Sequence, residues 1–215
     1  EESANLNDTT GCGLTYDRYS ILKKTMLKSV YQNGGFWIGQ YEAGTHEVRT
    51  STSELIIPIV QQDAYPYNYI TCSDAQIQAS QINAGNYTSS LMFGIQWDLV
   101  MKHLQTHGVT TDELTIRSTD WGNYLNVTFN ITRGAYSEDF GVSFIQVDGT
   151  YEKPEDSIVI LTAGASTDKN VKMNIYDLAG NLFEWTLKKA KSDKGYTCTN
   201  RGGDCSRDGS VNPAS

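Results

Sequence analysis

The residues best placed to do chemistry lie in one short stretch, 174–186, and in the Arg201–Gly203 segment that follows it. The stretch carries Asp177, Asn181 and Glu184 among apolar and aromatic side chains. Buried carboxylates and amides need partners, so we expect backbone amides, Arg201 or a cation to satisfy them. A simple hydrogen-bonded turn would also satisfy these groups, and both interpretations stay open at this point.

The same stretch is predicted to fold as a strand, a turn and a second strand. Aromatic and apolar residues of strand-like composition flank the segment 178–181. Gly180 and Asn181 are residue types that accept the positive φ angle of a tight turn or bulge. The turn would therefore position the three polar side chains beside the apolar ones.

The four cysteines are a second source of chemistry: Cys12, Cys72, Cys198 and Cys205. They form no Cys-x-x-Cys pair, which argues against a zinc ribbon or a thioredoxin-like site. Four cysteines permit two disulfides, with three possible pairings. The short loop between Cys198 and Cys205 could satisfy bridge geometry, so we predict a disulfide between these two residues.

The histidines and the common catalytic motifs provide no further candidate site. His103 and His107 are four residues apart and could face one metal from a helix, but Gly108 ends the helix and no carboxylate follows at zincin spacing. The sequence has no Gly-x-Ser-x-Gly, P-loop or Gly-x-Gly-x-x-Gly motif. We therefore predict no metal site at the histidines.

Length and composition favour one extracellular domain. The chain has 215 residues and a net charge of −8, which argues against nucleic acid or an anionic membrane as the main partner. No apolar run approaches the roughly 20 residues of a membrane helix, so we expect no membrane span. The 13 tyrosines, with abundant Gly, Asn, Ser and Thr, suit a turn-rich extracellular domain that presents an adaptable contact surface.

The remaining elements follow from hydrophobic spacing. Apolar residues at helical spacing predict helices over 17–33 and 90–103, with a short helix at 76–82 that is capped by Ser73 or Asp74. Strands are predicted over 36–44 and 158–161. Alternation in 125–132 and a second apolar segment at 142–147 predict a hairpin.

The central stretch resembles a known signature. Its motif, followed by Arg-Gly-Gly after a short insert, is similar to that of the formylglycine-generating enzyme (sulfatase-modifying factor) family. Weaker similarities are Glu42 and Thr45 in the early strand, Trp97 in the second long helix and the turn at 121–123. The residues that match the central signature are Tyr176, Asp177, Gly180, Asn181, Glu184, Trp185, Arg201, Gly202 and Gly203.

The resemblance implies an α+β, C-type-lectin-like fold that is rich in loops, with two helices around small antiparallel sheets. It implies a single domain over 1–215, in which about 124–151 is an inserted hairpin. Family members continue into a closing strand beyond the position of Ser215. We therefore expect an open sheet edge that could pair with another strand.

The resemblance also carries implications for chemistry, and this sequence departs from some of them. The copper-binding cysteine pair downstream of Arg-Gly-Gly is not matched, because only Cys205 lies there and its offset differs. The scattered histidines do not supply the iron site of other relatives. We therefore carry over no catalytic residue. Family members bind calcium near this turn, which makes Asn181 and Glu184 candidate ligands for Ca²⁺.

The same scaffold without catalytic cysteines resembles ligand-display proteins of phage tails and bacterial surfaces. We thus expect a non-catalytic adhesin, receptor-binding module or filament subunit on a cell surface or virion. It would bind a protein, a glycan or identical subunits. The alternatives are a copper- or iron-dependent oxidase completed by residues outside this chain, and a structural filament or capsid subunit. The predicted binding surface comprises Asn200, Asp204, Ser206, Arg207, Asp208, Ser210 and Asn212. A solvated terminal loop would explain the same residues.

Overall fold

The computed structural model describes residues 11–116, 118, 121–166, 169–192 and 195–215. Within these ranges the chain combines helices with small antiparallel sheets, as an α+β protein does. The helices are α1 (Tyr16–Asn33), α2 (Cys72–Ala79), α3 (Gly94–Thr106) and α4 (Thr111–Thr115).

The strands are short, except for one hairpin near the end of the described chain. They are β1 (Gly44–Thr45), β2 (Tyr65–Pro66), β3 (Phe129–Ile131), β4 (Ala135–Ser137), β5 (Ile145–Gln146), β6 (Tyr151–Lys153), β7 (Ile160–Leu161), β8 (Val171–Lys172), β9 (Ile175–Tyr176), β10 (Glu184–Ser192) and β11 (Gly195–Arg201). β4 lies between β5 and β7. The other sheets are the pairs β1–β2, β3–β6, β8–β9 and β10–β11.

The first long helix is confirmed by its local signals. Thr15 accepts a hydrogen bond from the Arg18 amide at the start of α1, and Gly34 ends the helix with φ of 78°. Trp97 of α3 is fully buried, as a central helical tryptophan should be. In α2 the predicted cap was wrong by two or three residues, since Thr71 accepts from the Asp74 amide.

One helix was not predicted although its signal is present in the sequence. Thr110 and Glu113 form a capping box at the start of α4, with the Thr110 amide donating to Glu113 Oε2 at 2.8 Å. The Thr-x-x-Glu spacing identifies this start. α4 has only 5 residues, which is too short for a repeat of apolar residues to be recognised in the sequence.

Two strand predictions need correction. The segment 36–43 is not assigned to a strand, and pairing begins only at Gly44. The predicted hairpin between 125–132 and 142–147 does not form, because β3 pairs with β6 and β4 pairs with β5. The chain turns at Gly134, where φ is 67°, so the two apolar segments enter different sheets.

The buried apolar residues form two clusters. The larger joins α3 and α4 to the sheets through Trp97, Leu104, Trp121, Ile131 and Leu161. The smaller joins α1 and α2 to the last hairpin, and consists of Cys12, Tyr19, Cys72, Phe93, Leu187 and Cys198. The last hairpin is thus packed on α1 and α2. No helix in the described part of the chain has the length and apolar character needed to cross a membrane.

Lys153 is an unusual member of the interior, since its side chain is fully buried. Its Nζ donates to the carbonyl oxygens of Tyr124 and Val127, both at 2.9 Å, and to those of Leu125 and Pro154 at 3.3 Å. Burial lowers the pKa of Lys153 to about 8. The lysine therefore holds together a loop whose carbonyls have turned inward.

We expect Lys153→Met to lower the free energy of unfolding by about 3 kcal/mol, because carbonyl groups that it satisfies would lose their donor in a buried position. Urea denaturation at pH 7 measures this change. Lys24→Met, on the exposed face of α1, is the matched control and should shift stability by less than about 0.5 kcal/mol. Equal effects of the two substitutions would contradict the structural role of Lys153.

Candidate functional site

The stretch singled out in the sequence forms a turn that links two different sheets. β9 enters the turn paired with β8, and β10 leaves it paired with β11. Asp177, Gly180 and Asn181 have φ angles of 56°, 72° and 63°, so the backbone takes the left-handed conformation repeatedly. The Gly and Asn were expected to do so, whereas Asp177 adds a third such position.

Asn181 is fully buried and its amide group is saturated with hydrogen bonds. Its Nδ2 donates to Glu42 Oε2 at 2.8 Å and to the Leu161 carbonyl at 3.2 Å. Its Oδ1 accepts from Asn123 Nδ2 at 3.1 Å and from the Leu161 amide at 2.9 Å. Its backbone carbonyl accepts from the Cys205 amide at 3.0 Å. One side chain thus connects distant parts of the chain.

Close backbone contact explains the glycine beside Asn181. Gly180 forms a bridge with Asn123, and a Cβ atom at Gly180 would overlap the Asn123 carbonyl. The Gly180 amide donates to the Gly202 carbonyl at 2.7 Å, which ties the turn to the Arg-Gly-Gly segment. Any side chain at Gly180 would therefore push these segments apart.

Asp177 is buried and is held by the preceding loop. Its Oδ2 accepts from the Gly164 amide at 2.6 Å, and its Oδ1 accepts from Asn170 Nδ2 at 3.4 Å. Burial raises the pKa of Asp177 to about 7, although these hydrogen bonds and the charge of Arg133 act to lower it. The predicted partners of this carboxylate were backbone amides, Arg201 or a cation, and a backbone amide is what the structure provides.

Glu42 and Glu184 complete a group of three acidic side chains with Asp177. Burial raises the pKa of Glu42 well above its ordinary value, and the charge of Asp177 raises it further. Burial likewise raises the pKa of Glu184, with Glu42 as the next cause. These mutual effects place the three carboxyl groups within electrostatic reach of one another.

Arg201 does not neutralise this group. Its Nη2 forms an ion pair with Asp98 Oδ1 of α3 at 3.1 Å, so Arg201, one of the three kinds of partner expected for the turn carboxylates, is bound elsewhere. Gly202 instead packs against Glu184, and a Cβ atom at Gly202 would overlap Glu184 Oε2. The Arg-Gly-Gly segment therefore serves the site through its backbone and through close contact.

The fit of calcium can be tested against these contacts. Both acceptor positions of Asn181 Oδ1 are used by hydrogen bonds, so this oxygen is not free to bind an ion. Glu184 Oε2 has no hydrogen-bond partner in the described part of the chain. The two predicted ligands therefore do not present free oxygens together, and calcium binding stays a prediction. The hydrogen-bonded turn accounts for Asn181.

The predicted disulfide between Cys198 and Cys205 is absent, since both thiols are free. The Cys198 thiol is hydrogen-bonded to those of Cys12 and Cys72, in the cluster that joins α1, α2 and the last hairpin. Cys205 lies beside Asp204 and within reach of Lys153. The prediction was wrong because β11 carries Cys198 away from the loop that holds Cys205.

The predicted binding residues divide into supporting and exposed groups. Asp204 is buried, and its Oδ1 accepts from the Ser206 amide at 2.7 Å while its Oδ2 pairs with Arg207 at 3.3 Å. Asp208 Oδ1 accepts from Asn126 Nδ2 at 2.9 Å. Asn212 is partly buried. The exposed members are Asn200, Ser206, Arg207 and Ser210.

The loop that carries these residues is attached to the core at several points. The Arg207 carbonyl accepts from the Leu125 amide at 3.0 Å, and the Gly209 amide donates to Asn126 Oδ1 at 3.2 Å. The Ala214 carbonyl accepts from Trp97 Nε1 at 3.0 Å. The exposed side chains therefore project from a fixed backbone.

A cavity of about 940 Å³ adjoins the acidic group, and it was not predicted. α1, the segment 36–43, the end of α2 and the turn with the start of β10 line it. Glu42, Asp177 and Glu184 all belong to the lining. Glu42 could have been found from the weak similarity of the early strand. The cavity itself depends on packing between segments distant in sequence.

No family model matches the chain, and the searches of curated proteins and of solved structures also gave no match. In the described residues no group of three or more His, Cys, Asp or Glu side chains has an arrangement that could hold a metal ion.

The raised pKa of Asp177 predicts a pH-dependent stability. Because the folded pKa, about 7, lies above the unfolded one, the contribution of Asp177 is fully present below about pH 4 and is lost as pH rises through 7. Between pH 4 and pH 8 the wild-type protein should lose on the order of 4 kcal/mol of unfolding free energy through this group. We expect Asp177→Asn to remove that loss.

Urea denaturation at intervals of pH measures this difference, with Asp148→Asn on an exposed loop as the control. The control should keep the wild-type pH profile. If Asp177→Asn also keeps it, the carboxyl group of Asp177 titrates as an ordinary exposed acid and the assignment fails.

Proposed function

We propose that this chain is a non-catalytic binding module on a C-type-lectin-like scaffold, presented outside the cell on a cell surface or virion. Its ligand would be a protein or a glycan, contacted by the exposed side chains Asn200, Ser206, Arg207 and Ser210. The observation that carries the proposal is the fixed backbone of the loop 204–214, which presents polar side chains to solvent.

Pre-organisation is the physical reason for this assignment. A mobile loop loses conformational entropy when it binds, whereas an already ordered loop avoids most of that cost. The buried Asp204 orders the loop from within through the Ser206 amide, and Trp97 holds its far end at Ala214. Asn, Ser and Arg side chains on such a loop supply adaptable hydrogen bonds for recognition.

The state of the cysteines supports a non-catalytic role. Burial and the charge of Asp204 raise the pKa of Cys205 to about 12. The hydrogen bond with Cys12 lowers the pKa of Cys198, but the hydrogen bond with Cys72 and burial outweigh it and raise this pKa to about 12. Thiols of this kind are protonated at neutral pH and are poor nucleophiles.

Assembly of identical subunits is a second candidate, favoured by the last hairpin. In the described part of the chain β10 and β11 form a sheet only with each other. Leu187 of β10 is bonded to Met92 and Tyr19, so β11 carries the edge that could pair with another strand. A free edge offers backbone donors and acceptors to a strand of another molecule. Self-association through this hairpin would suit a filament or surface layer.

The recognition surface can be tested with a fourfold variant that replaces Asn200, Ser206, Arg207 and Ser210 by alanine. We expect the wild-type protein to bind at least one glycan class on a glycan array, or an immobilised copy of itself. The variant should lose at least tenfold in affinity, because the replaced groups supply the polar contacts. Its melting temperature should stay within about 3 °C of wild type, since exposed side chains contribute little to stability.

A matched control replaces four exposed residues of α1 by alanine, namely Arg18, Lys24, Thr25 and Lys28. This control should bind as wild type does. Equal binding by the loop variant and the control would contradict the assignment of the surface. Absence of wild-type binding both to the array and to immobilised protein would contradict a glycan ligand and the assembly of identical subunits.

A further inference from the structure

The cavity beside the turn has walls of an unusual kind. Aromatic rings contribute a large part of its lining, including Phe36, Tyr41, Tyr67, Tyr176, Phe183 and Trp185. The rings of Tyr41 and Tyr176 are stacked with centroids 4.9 Å apart. The rings of Tyr67, Tyr176 and Phe183 already lie beside arginine side chains of this chain, as expected for electron-rich faces that attract cations.

The acidic members of the lining have no cationic partner in an ion pair among the described residues. The ion pairs there are Lys172–Glu113, Arg201–Asp98 and Arg207–Asp204. Glu42 accepts a hydrogen bond from a neutral amide, and Glu184 Oε2 has no partner in the described part of the chain. The lining thus includes Glu184, one of whose carboxyl oxygens is buried against Gly202 without a hydrogen-bond partner in the described part of the chain.

Arg133 is a cation whose charge acts on this group of acids, but its hydrogen bond is made to the backbone of Gly164. Its Nε donates to the Gly164 carbonyl at 2.6 Å, and its guanidinium group lies 5.7 Å from the centre of the Tyr176 ring. Its charge acts on Asp177 and is not among the charges that act on Glu42 or Glu184. Arg133 therefore leaves the two glutamates available.

The arrangement is better suited to an organic cation than to a metal ion. The three acids do not converge as metal ligands, since no group of three or more His, Cys, Asp or Glu residues in the described ranges could hold an ion. A delocalised cation with several N–H donors can reach carboxyl groups that are too far apart for one ion. A cavity of about 940 Å³ is at the upper end of the range for small-molecule sites, roughly 300–1,000 Å³.

We propose that this cavity binds an organic cation, a guanidinium or amidinium group on an apolar body, with Glu42 and Glu184 as its hydrogen-bond acceptors. The aromatic walls contact the apolar body and the face of the cationic group. Asp177 supplies additional negative charge, while its hydrogen bond from Gly164 keeps it in place. None of the residues that line the cavity belongs to the loop 204–214, so the inference does not depend on the proposed function.

Binding should be linked to proton release. Burial raises the pKa of both glutamates and so favours their protonated forms, whereas a bound cation favours the ionised forms, so affinity should rise with pH. The charged or titratable groups that act on this cluster are the three acids themselves and Arg133. Tyr124 and Cys205 lie nearby, but burial raises the pKa of each, so both remain neutral below about pH 9.

Calorimetric titration with benzamidine and with its neutral isostere benzamide tests the proposal on the whole chain. We expect benzamidine to bind at least tenfold more tightly than benzamide at pH 7.5, because charge-assisted hydrogen bonds distinguish the two. Glu184→Gln should remove most of this preference, while Glu152→Gln, at an exposed position of β6, should leave it unchanged.

A second pair of probes distinguishes a free small molecule from an arginine side chain of a peptide. These are N-acetyl-arginine amide and N-acetyl-citrulline amide, which differ in charge at nearly constant shape. Preference for the arginine compound alone supports a peptide ligand, and preference for benzamidine alone supports a small aromatic cation. If neither cation exceeds its neutral isostere, the proposal is wrong.

A measurement on the wild-type protein covers the case in which a glutamate variant does not fold. Titration of the preferred cation in two buffers of different ionisation enthalpy gives the number of protons released on binding. We expect release at pH 6.5, and tighter binding at pH 8 than at pH 5.5. Binding with no proton release and no pH dependence would overturn the assignment of the glutamates.

Discussion

The structure depends on the hydrogen bonds of one buried amide, that of Asn181. A buried amide that lacks partners costs several kcal/mol, so each of its donors and acceptors must be matched for the chain to fold in this way. Asn181 meets this constraint by joining Glu42, Asn123 and Leu161, which come from different sheets and loops. With such short strands, these contacts replace the continuous ladder that a larger sheet would provide.

The positive φ angle of Asn181 and the close contact at Gly180 follow from the same constraint. The turn brings the amide to the core only because its backbone takes the left-handed conformation, and Gly180 allows Asn123 to approach. The Cys205 amide then bonds to Asn181 and fixes the start of the loop that carries the exposed polar side chains. The display loop and the interior are therefore parts of one network.

An electrostatic cost accompanies this network. Glu42 is needed as an acceptor for Asn181, and it lies in the field of Asp177 and close enough to affect Glu184. Burial of three acids without a paired cation is unfavourable when they are ionised, which raises the pKa of each. The proposed cation site follows from this imbalance, because a bound positive charge would relieve it.

Sequence reasoning succeeded where the signal was local. Apolar residues at helical spacing identified α1, and Gly180 with Asn181 identified the turn. Sequence reasoning failed where the structure depends on pairing between segments that are distant in the sequence. Examples are the pairing of β3 with β6 and the contact of Cys198 with Cys12 and Cys72. Neither the cavity nor the pairing of Arg201 with Asp98 has a local signature, since both arise from packing.

The turn gathers three carboxyl groups whose pKa values are raised by burial, and NMR titration of the side-chain carboxyl carbons measures this effect. We expect Asp177 to titrate near pH 7, and Glu42 and Glu184 to titrate well above the range of exposed acids. Titration of all three at about pH 4, as in model peptides, would contradict it.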